Sequence, residues 1–358
     1  MGLHVSEKRY IIGFFIIYIC FCFVMDVKLH YRVINYSIRP DNGIKYESSV
    51  PCDLNPFCVV TAKGLMLDYI NFYIFGPLAA LADRTIGFSK CLWLSPNAIS
   101  FSHVIVATLA GHLVSNKSLT QRRIGVILFQ IRTWMDDLDG LVARKRKNIS
   151  GERSDVGSSG YFIDAICDGL GTTALLIGIF CYLKSYSPRQ RGYEKLQPMI
   201  PLVNTNQIGS CVVQKKKIRF NNVLPTVLLI TGTLIGSSIA WNRYIDLYQV
   251  LLETDNVDKL ISKNELFTRQ TQVFRSNSFW VITTAWKLIN PHALTDYILA
   301  SIFFDRLWEY LHAARWISYI IIVVLVYFTD FQYFQSDAYI KNVPDQLVSE
   351  IFMNSTGS

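Results

Sequence analysis

Asp136-Asp137-Leu138-Asp139-Gly140-Leu141-Val142-Ala143-Arg144, then a polar loop, then Gly160-Tyr161-Phe162-Ile163-Asp164-Ala165-Ile166-Cys167-Asp168, is the stretch on which the fold of this chain turns. Residues three apart (136 and 139) and four apart (164 and 168) share one face of a helix. Each pair stands at the end of an apolar segment long enough to cross a bilayer. Ionisable side chains are costly there, so they point to function. Four acids converging on one spot need cations, and hard divalent ions such as Mg2+ or Mn2+ take oxygen ligands. Two such ions roughly 3.5–4 Å apart would clamp a phosphate during an in-line displacement. Gly140 and Ala143 lie on the face of Asp136 and Asp139, and Gly160 precedes the second pair, so small residues leave room for a nucleotide or a backbone. Arg144 adds planar donors suited to phosphate. Asp137, turned about 100° from its neighbours, reads as a solvated side chain.

Outward from these acids, the composition is that of an integral membrane protein. Of 358 residues, 51% are hydrophobic and only 17% charged, too few charges for a soluble chain of this size. The formal charge of +8 sits in loops beside apolar segments, where positive-inside orientation accounts for it and no nucleic-acid partner is expected. An all-α, polytopic helical bundle of about seven spans follows.

Residues 1–28 form a cytosolic tip and a retained signal-anchor helix, since Lys8 and Arg9 precede the apolar run from Tyr10 to Val27 and no cleavage site follows it. Met1-Gly2 opens a loose N-myristoylation pattern that the anchor makes redundant. Residues 29–95 read as a lumenal segment with the Asn35-Tyr36-Ser37 sequon and a close Cys52/Cys58 pair, whose disulfide would need an oxidising compartment. Within it, 64–88 is broken by Asp68, Asn71, Pro77, Asp83 and Arg84, and reads as an interfacial amphipathic helix.

Residues 96–330 form the transmembrane core and 331–358 a tail. Pro96-Asn97-Ala98-Ile99-Ser100 opens a helix to about Val114. The next helix runs from about Ile124 into the first acidic pair, and another starts at Gly160. A helix over 223–241 carries Gly232 and Gly236 for close contact with a neighbour. The stretch 279–304, interrupted by Lys287, Asn290-Pro291 and Asp296, reads as kinked. A last span covers 311–328. The loop from Lys184 to Asn222 holds eight basic residues against Glu194 alone, a cytosolic signature. The acidic cluster, one span away, then faces the lumen. His103 and His112 read as buried or interfacial histidines, and Asp305, Glu309 and His312 as a solvated face.

The whole pattern, Asp136-x-x-Asp139-Gly140-x-x-Ala143-Arg144 followed by Gly160-x-x-x-Asp164-x-x-x-Asp168, resembles the signature of the CDP-alcohol phosphotransferases. Eight positions match across two helices, and Pro96-Asn97 is similar to the opening of that family's first core helix. The resemblance covers about 96–330 and is strongest over 96–185. It implies a six-helix core, here with an added N-terminal anchor, that moves a phospho-alcohol head group from a CDP-linked donor to a lipid hydroxyl and releases CMP. Carried over by position, Asp136, Asp139, Asp164 and Asp168 are metal ligands and Asp168 is also the general base. Asn97, Gly140, Ala143, Arg144 and Gly160 line the CDP site. Two ions of Mn2+ or Mg2+ and a homodimer are implied as well.

The anchor and the lumenal site depart from the cytosol-facing glycerolipid members. They resemble the insect-type branch that joins CDP-ethanolamine to ceramide in the Golgi membrane, which implies a preference for Mn2+. Residue chemistry alone does not separate ceramide from diacylglycerol, or ethanolamine from choline, so a choline/ethanolamine phosphotransferase acting on diacylglycerol stands as the alternative. An intramembrane prenyltransferase fits less well, because Met135 and Ala143 stand where its pattern has Asn and Asp. A cation transporter, the alternative of another class, would favour paired broken helices at the midplane over acids with Gly, Ala and Arg at fixed spacing.

Overall fold

The computed structural model of the chain describes residues 5–38, 49–91, 93–154, 157–185, 220–253 and 262–341, and among these it contains helices and no strand. The tip before residue 5, most of the basic loop and the end of the tail, where Asn354-Ser355-Thr356 offers another possible sequon, lie outside the described residues. Helix α1 spans Val5–Ile34, and α2 (Ala62–Met66) and α3 (Gly76–Ile86) follow, with a π-helical turn, Asn71–Phe75, leading into α3. The core is α4 (Pro96–Val114), α5 (Leu119–Arg146), α6 (Ser159–Ser185), α7 (Phe220–Glu253), α8 (Lys263–Arg275), α9 (Asn277–Ile289), α10 (Pro291–Phe303) and α11 (Leu307–Lys341).

Among the described residues, α1, α4, α6, α7 and α11 are long and apolar enough to cross a membrane, which makes this a multi-pass membrane protein. The other two of the seven expected spans have a different character. Helix α5 has 28 residues but carries Arg122, Arg123, Arg132 and three aspartates. The expected kink near Pro291 is a full break between α9 and α10, each of 13 residues and so about 20 Å long, short of a bilayer core. Proline cannot continue α9 but suits the first turn of α10. The buried Asn290 side chain caps that turn by accepting from Ala293 N at 2.8 Å, while its amide donates to Met66 O at 3.1 Å.

The stretch 64–88 is not one amphipathic helix. It folds as α2, the π turn and α3, with Asp68 capping the π turn through the backbone N–H groups of Ile70 and Asn71. Trp241 of α7 donates to Met66 O at 3.0 Å, which ties this segment to the core. One apolar cluster joins α1, residues 60–73, the later half of α7, α8 and α9; a second joins α4, α5, α6, the earlier half of α7 and α10. Helices α4 and α6 touch backbone to backbone. A Cβ on Gly178 would lie 2.1 Å from Gly111 O, so only glycine permits the crossing. Gly232 admits the Tyr319 hydroxyl as expected, whereas Gly236 faces open space.

The N-terminal helix is more than an anchor. Asp26 of α1 accepts from Lys287 Nζ at 2.7 Å and from the hydroxyls of Tyr69 and Tyr73 at 2.8 and 2.6 Å, and Lys287 is 1% exposed. Removing one member of a buried ion pair leaves an uncompensated charge, at a cost of about 3–5 kcal/mol. Lys287→Met is therefore expected to lower the thermal midpoint in detergent sharply, and adding Asp26→Asn to recover much of the loss. A double variant no more stable than the single one would show that the pair is not what holds α1.

Candidate active site

Three helices meet at the acids. Ser95 caps α4 by accepting from Ala98 N at 3.1 Å, with Pro96 in the first turn, and this start sets the rotation that points Ser100 and His103 inward. Ligand atoms of His103, Asp136, Asp164 and Asp168 all lie within 4.8 Å of one another. His103 Nε2 is 3.7 Å from Asp136, 3.8 Å from Asp139 and 4.0 Å from Asp168. Asp139, 4% exposed, accepts from Ser100 Oγ at 2.6 Å and is thereby fixed against α4. Arg132, also 4% exposed, donates to Asp168.

Both nitrogens of His103 and one oxygen each of Asp136 and Asp164 are buried without a hydrogen-bond partner. Buried polar atoms without partners are costly, and a divalent cation would satisfy the two carboxylate oxygens and one of the His103 nitrogens together. The donor set, carboxylate oxygens with one imidazole, suits Mn2+ or Mg2+, with the nitrogen better matched to a transition metal. The residues present therefore fit a metal centre.

A cavity of about 850 Å³ opens over the cluster. All the residues that the motif marks for CDP, namely Asn97, Gly140, Ala143, Arg144 and Gly160, line it beside the acids. Arg144 lies across Gly140 and pairs with Glu152 at 2.6 Å. Lys63, Arg146, Lys147 and Arg153 add positive charge to the walls. The loop after α5 is pinned at the mouth: Ser154 and Gln249 of α7 exchange two bonds of 3.0 Å, and Arg153 pairs with Glu253 at 2.8 Å. Lys145 reaches Asp83 of α3 at 2.8 Å. Burial pushes the Asp83 carboxyl up, but the bonds from Lys145 and Ser89 outweigh it and hold the group below its ordinary range. Cys52 and Cys58 form a disulfide, and neighbouring Asp53 lies 3.9 Å from Lys145, so the disulfide-bonded segment and the mouth share one end of the molecule.

Three expectations change. The acidic pair of α5 is not at a helix end, because α5 continues to Arg146 and stops only where Asn148 turns left-handed at φ 54°. Asp137 is not solvated: it lines the cavity, with one oxygen buried and unbonded. His103 is not a bland core histidine but a member of the cluster. By contrast, Asp305 and Glu309 are exposed, Asp305 paired with the buried Arg122 at 2.6 Å and Glu309 with the exposed Arg306 at 3.2 Å, and His112 is exposed.

The family model for ceramide phosphoethanolamine synthase matches residues 4–343, nearly the whole chain. The chain belongs to this family. It is also 47% identical over 294 residues to the ceramide phosphoethanolamine synthase of Drosophila melanogaster, covering 82% of this chain and 72% of that one. No solved structure matches. The family match takes in α1 as well as the α4–α11 core. This ceramide phosphoethanolamine synthase family member is therefore a transferase, and its acidic His/Asp cluster is able to bind metal.

Proposed function

We propose that this protein transfers phosphoethanolamine from CDP-ethanolamine to the primary hydroxyl of ceramide, giving ceramide phosphoethanolamine and CMP. The observation that carries this reading is the convergence of the acids of α5 and α6, backed by the buried His103 of α4, on a single cavity whose other walls hold the CDP-motif residues. The ceramide oxygen forms a bond to the phosphorus that bears ethanolamine, the bond from that phosphorus to the CMP oxygen breaks, and the hydroxyl proton passes to Asp168. Arg132 orients the Asp168 carboxyl for this task. Asp136, Asp139, Asp164 and Asp168, with His103, hold Mn2+ or Mg2+, which would neutralise charge on the diphosphate. Asn97, Gly140, Ala143, Arg144 and Gly160 seat the cytidine diphosphate, with the small residues making room and Arg144 exchanging Glu152 for phosphate.

The acceptor is tested by offering purified enzyme both ceramide and diacylglycerol with labelled CDP-ethanolamine. Label is expected in the ceramide product, and label in the diacylglycerol product alone would overturn the reading.

The same proposal places the mouth on the lumenal side of the Golgi membrane. The Cys52–Cys58 disulfide supports this, since disulfides persist in oxidising compartments and this one stands at the mouth's end of the molecule. A glycosylation acceptor engineered between Lys145 and Ser159 is expected to be modified in sealed vesicles. Absence of glycan there, with the loop open to added protease, would put the site in the cytosol.

A further inference from the structure

Beyond the acids, the cavity has a second polar wall. Along α5 the groups occur in an order that maps depth. Arg144 stands about 12 Å along the helix axis on the mouth side of Asp136, and Gln130 about 9 Å on the other side. Arg132, which holds Asp168, lies only about 3 Å from the level of Gln130. Gln130 donates to Asp296 of α10 at 2.7 Å, so Asp296 sits just below the level of Asp168, on the side away from the nucleotide residues. His292, Thr295 and Asp296, on one face of α10, all line the cavity. The His292 ring rests edge-on against Trp241, and Thr295 spends its hydrogen on Pro291 O at 2.8 Å, which leaves its oxygen free to accept.

The donor's chemistry does not use this wall. The apolar part of an acceptor has its own way in: Ile166 and Leu170 of α6 and Ile235 of α7 line the cavity yet are 63%, 54% and 55% exposed. The cavity is thus open sideways between α6 and α7 at apolar side chains, where acyl chains extend into the bilayer. An acceptor entering there presents its primary hydroxyl to Asp168 and its next two carbons to α10. In ceramide those carbons bear an amide N–H and a secondary hydroxyl, both hydrogen-bond donors. In diacylglycerol the same region offers ester oxygens, which only accept.

We infer that α10 reads the sphingoid backbone of the acceptor: the Asp296 carboxyl, held by Gln130 with Thr295 and His292 beside it, accepts hydrogen bonds from the amide N–H and secondary hydroxyl that ceramide carries and diacylglycerol lacks. The acceptor oxygens of Asp296 and Thr295, met by no donor from the lipid, would stay buried and unpaired, which is how a site rejects an analogue lacking the matching group. Asp296 is then a specificity residue, distinct from the acids that hold metal. The inference rests on ceramide being the acceptor.

The test pairs two acceptors with two enzymes: ceramide and 3-deoxyceramide, which lacks the secondary hydroxyl, against the unsubstituted protein and Asp296→Asn, which keeps the size and the bond from Gln130. The unsubstituted enzyme is expected to favour ceramide by about 10- to 100-fold in kcat/KM. Asp296→Asn should shrink that ratio to within about threefold, with the KM for CDP-ethanolamine unchanged. Equal losses on both acceptors, with the ratio preserved, would overturn the inference and leave the proposed function standing. No turnover of ceramide by the unsubstituted enzyme would overturn both. Should Asp296→Asn not survive purification, Thr295→Val reads the same ratio with the same two outcomes.

Discussion

Asp168→Asn is expected to lower head-group transfer by about three orders of magnitude while the protein stays folded and still binds CDP-ethanolamine. Loss of a positioned general base typically costs 10²–10⁴-fold, and here the same carboxylate also belongs to the His103, Asp136 and Asp164 group. Asparagine is the informative replacement because of Arg132. That guanidinium is 4% exposed and donates to Asp168; an alanine would leave it buried and unpaired, whereas the asparagine carbonyl still accepts from it. The measurement is CMP release in single-turnover conditions, with the thermal midpoint and displacement of a labelled CDP-alcohol as controls. Turnover within tenfold of the unsubstituted enzyme would remove Asp168 from the chemistry. A collapse of nucleotide binding with the rate would make its role that of holding metal and donor, not of taking the proton.

The second large effect is metal dependence. Chelation is expected to bring transfer to background, and Mn2+ or Mg2+ to restore it in full. The acids repel one another without cations, so the metal also stabilises the fold: an ion present at 100 times its Kd adds about 2.7 kcal/mol, read as a rise in thermal midpoint independent of turnover. His103→Leu should raise the concentration of metal needed for half-activation at least tenfold, the usual scale for disturbing a metal's surroundings. Full activity after exhaustive chelation would end the metal reading. An unchanged metal requirement in His103→Leu would remove only the histidine from it.

How much of this was legible before the structure follows from where each signal lies. The four motif acids could be read because their spacing is local: three and four residues on a helix decide the face, whatever the neighbours do. The same rule held the clue to Arg132, which stands four residues before Asp136. It also held the clue to His103, which follows Asn97 and Ser100 at intervals of three. A lone arginine or histidine on an apolar helix has many bland explanations, including the buried histidine that the sequence suggests at 103, and only the approach of α4 to α5 and α6 decides among them. The sequence reading ends α5 at its acidic pair, ahead of the run Arg144-Lys145-Arg146 that closes the helix. Basic residues suit a helix C-terminus, and all three find partners on the mouth segments: Glu152, Asp83 and the backbone carbonyls of Cys91 and Leu94. The partnership of Asp26 with Lys287 joins residues 261 positions apart, and no local pattern carries that information.

That last contact bears on how the enzyme can be engineered. A signal-anchor is often treated as an interchangeable address label, to be swapped for another when a protein is to be rerouted or tagged. Here the helix that would carry the address also supplies the counter-charge for a lysine inside the body of the enzyme, and the hydroxyl groups of Tyr69 and Tyr73 close around the same carboxylate. A chimera with a foreign membrane segment in place of residues 5–34 would arrive with that lysine uncompensated, so rerouting and stability cannot be varied separately unless the graft keeps an acid at position 26.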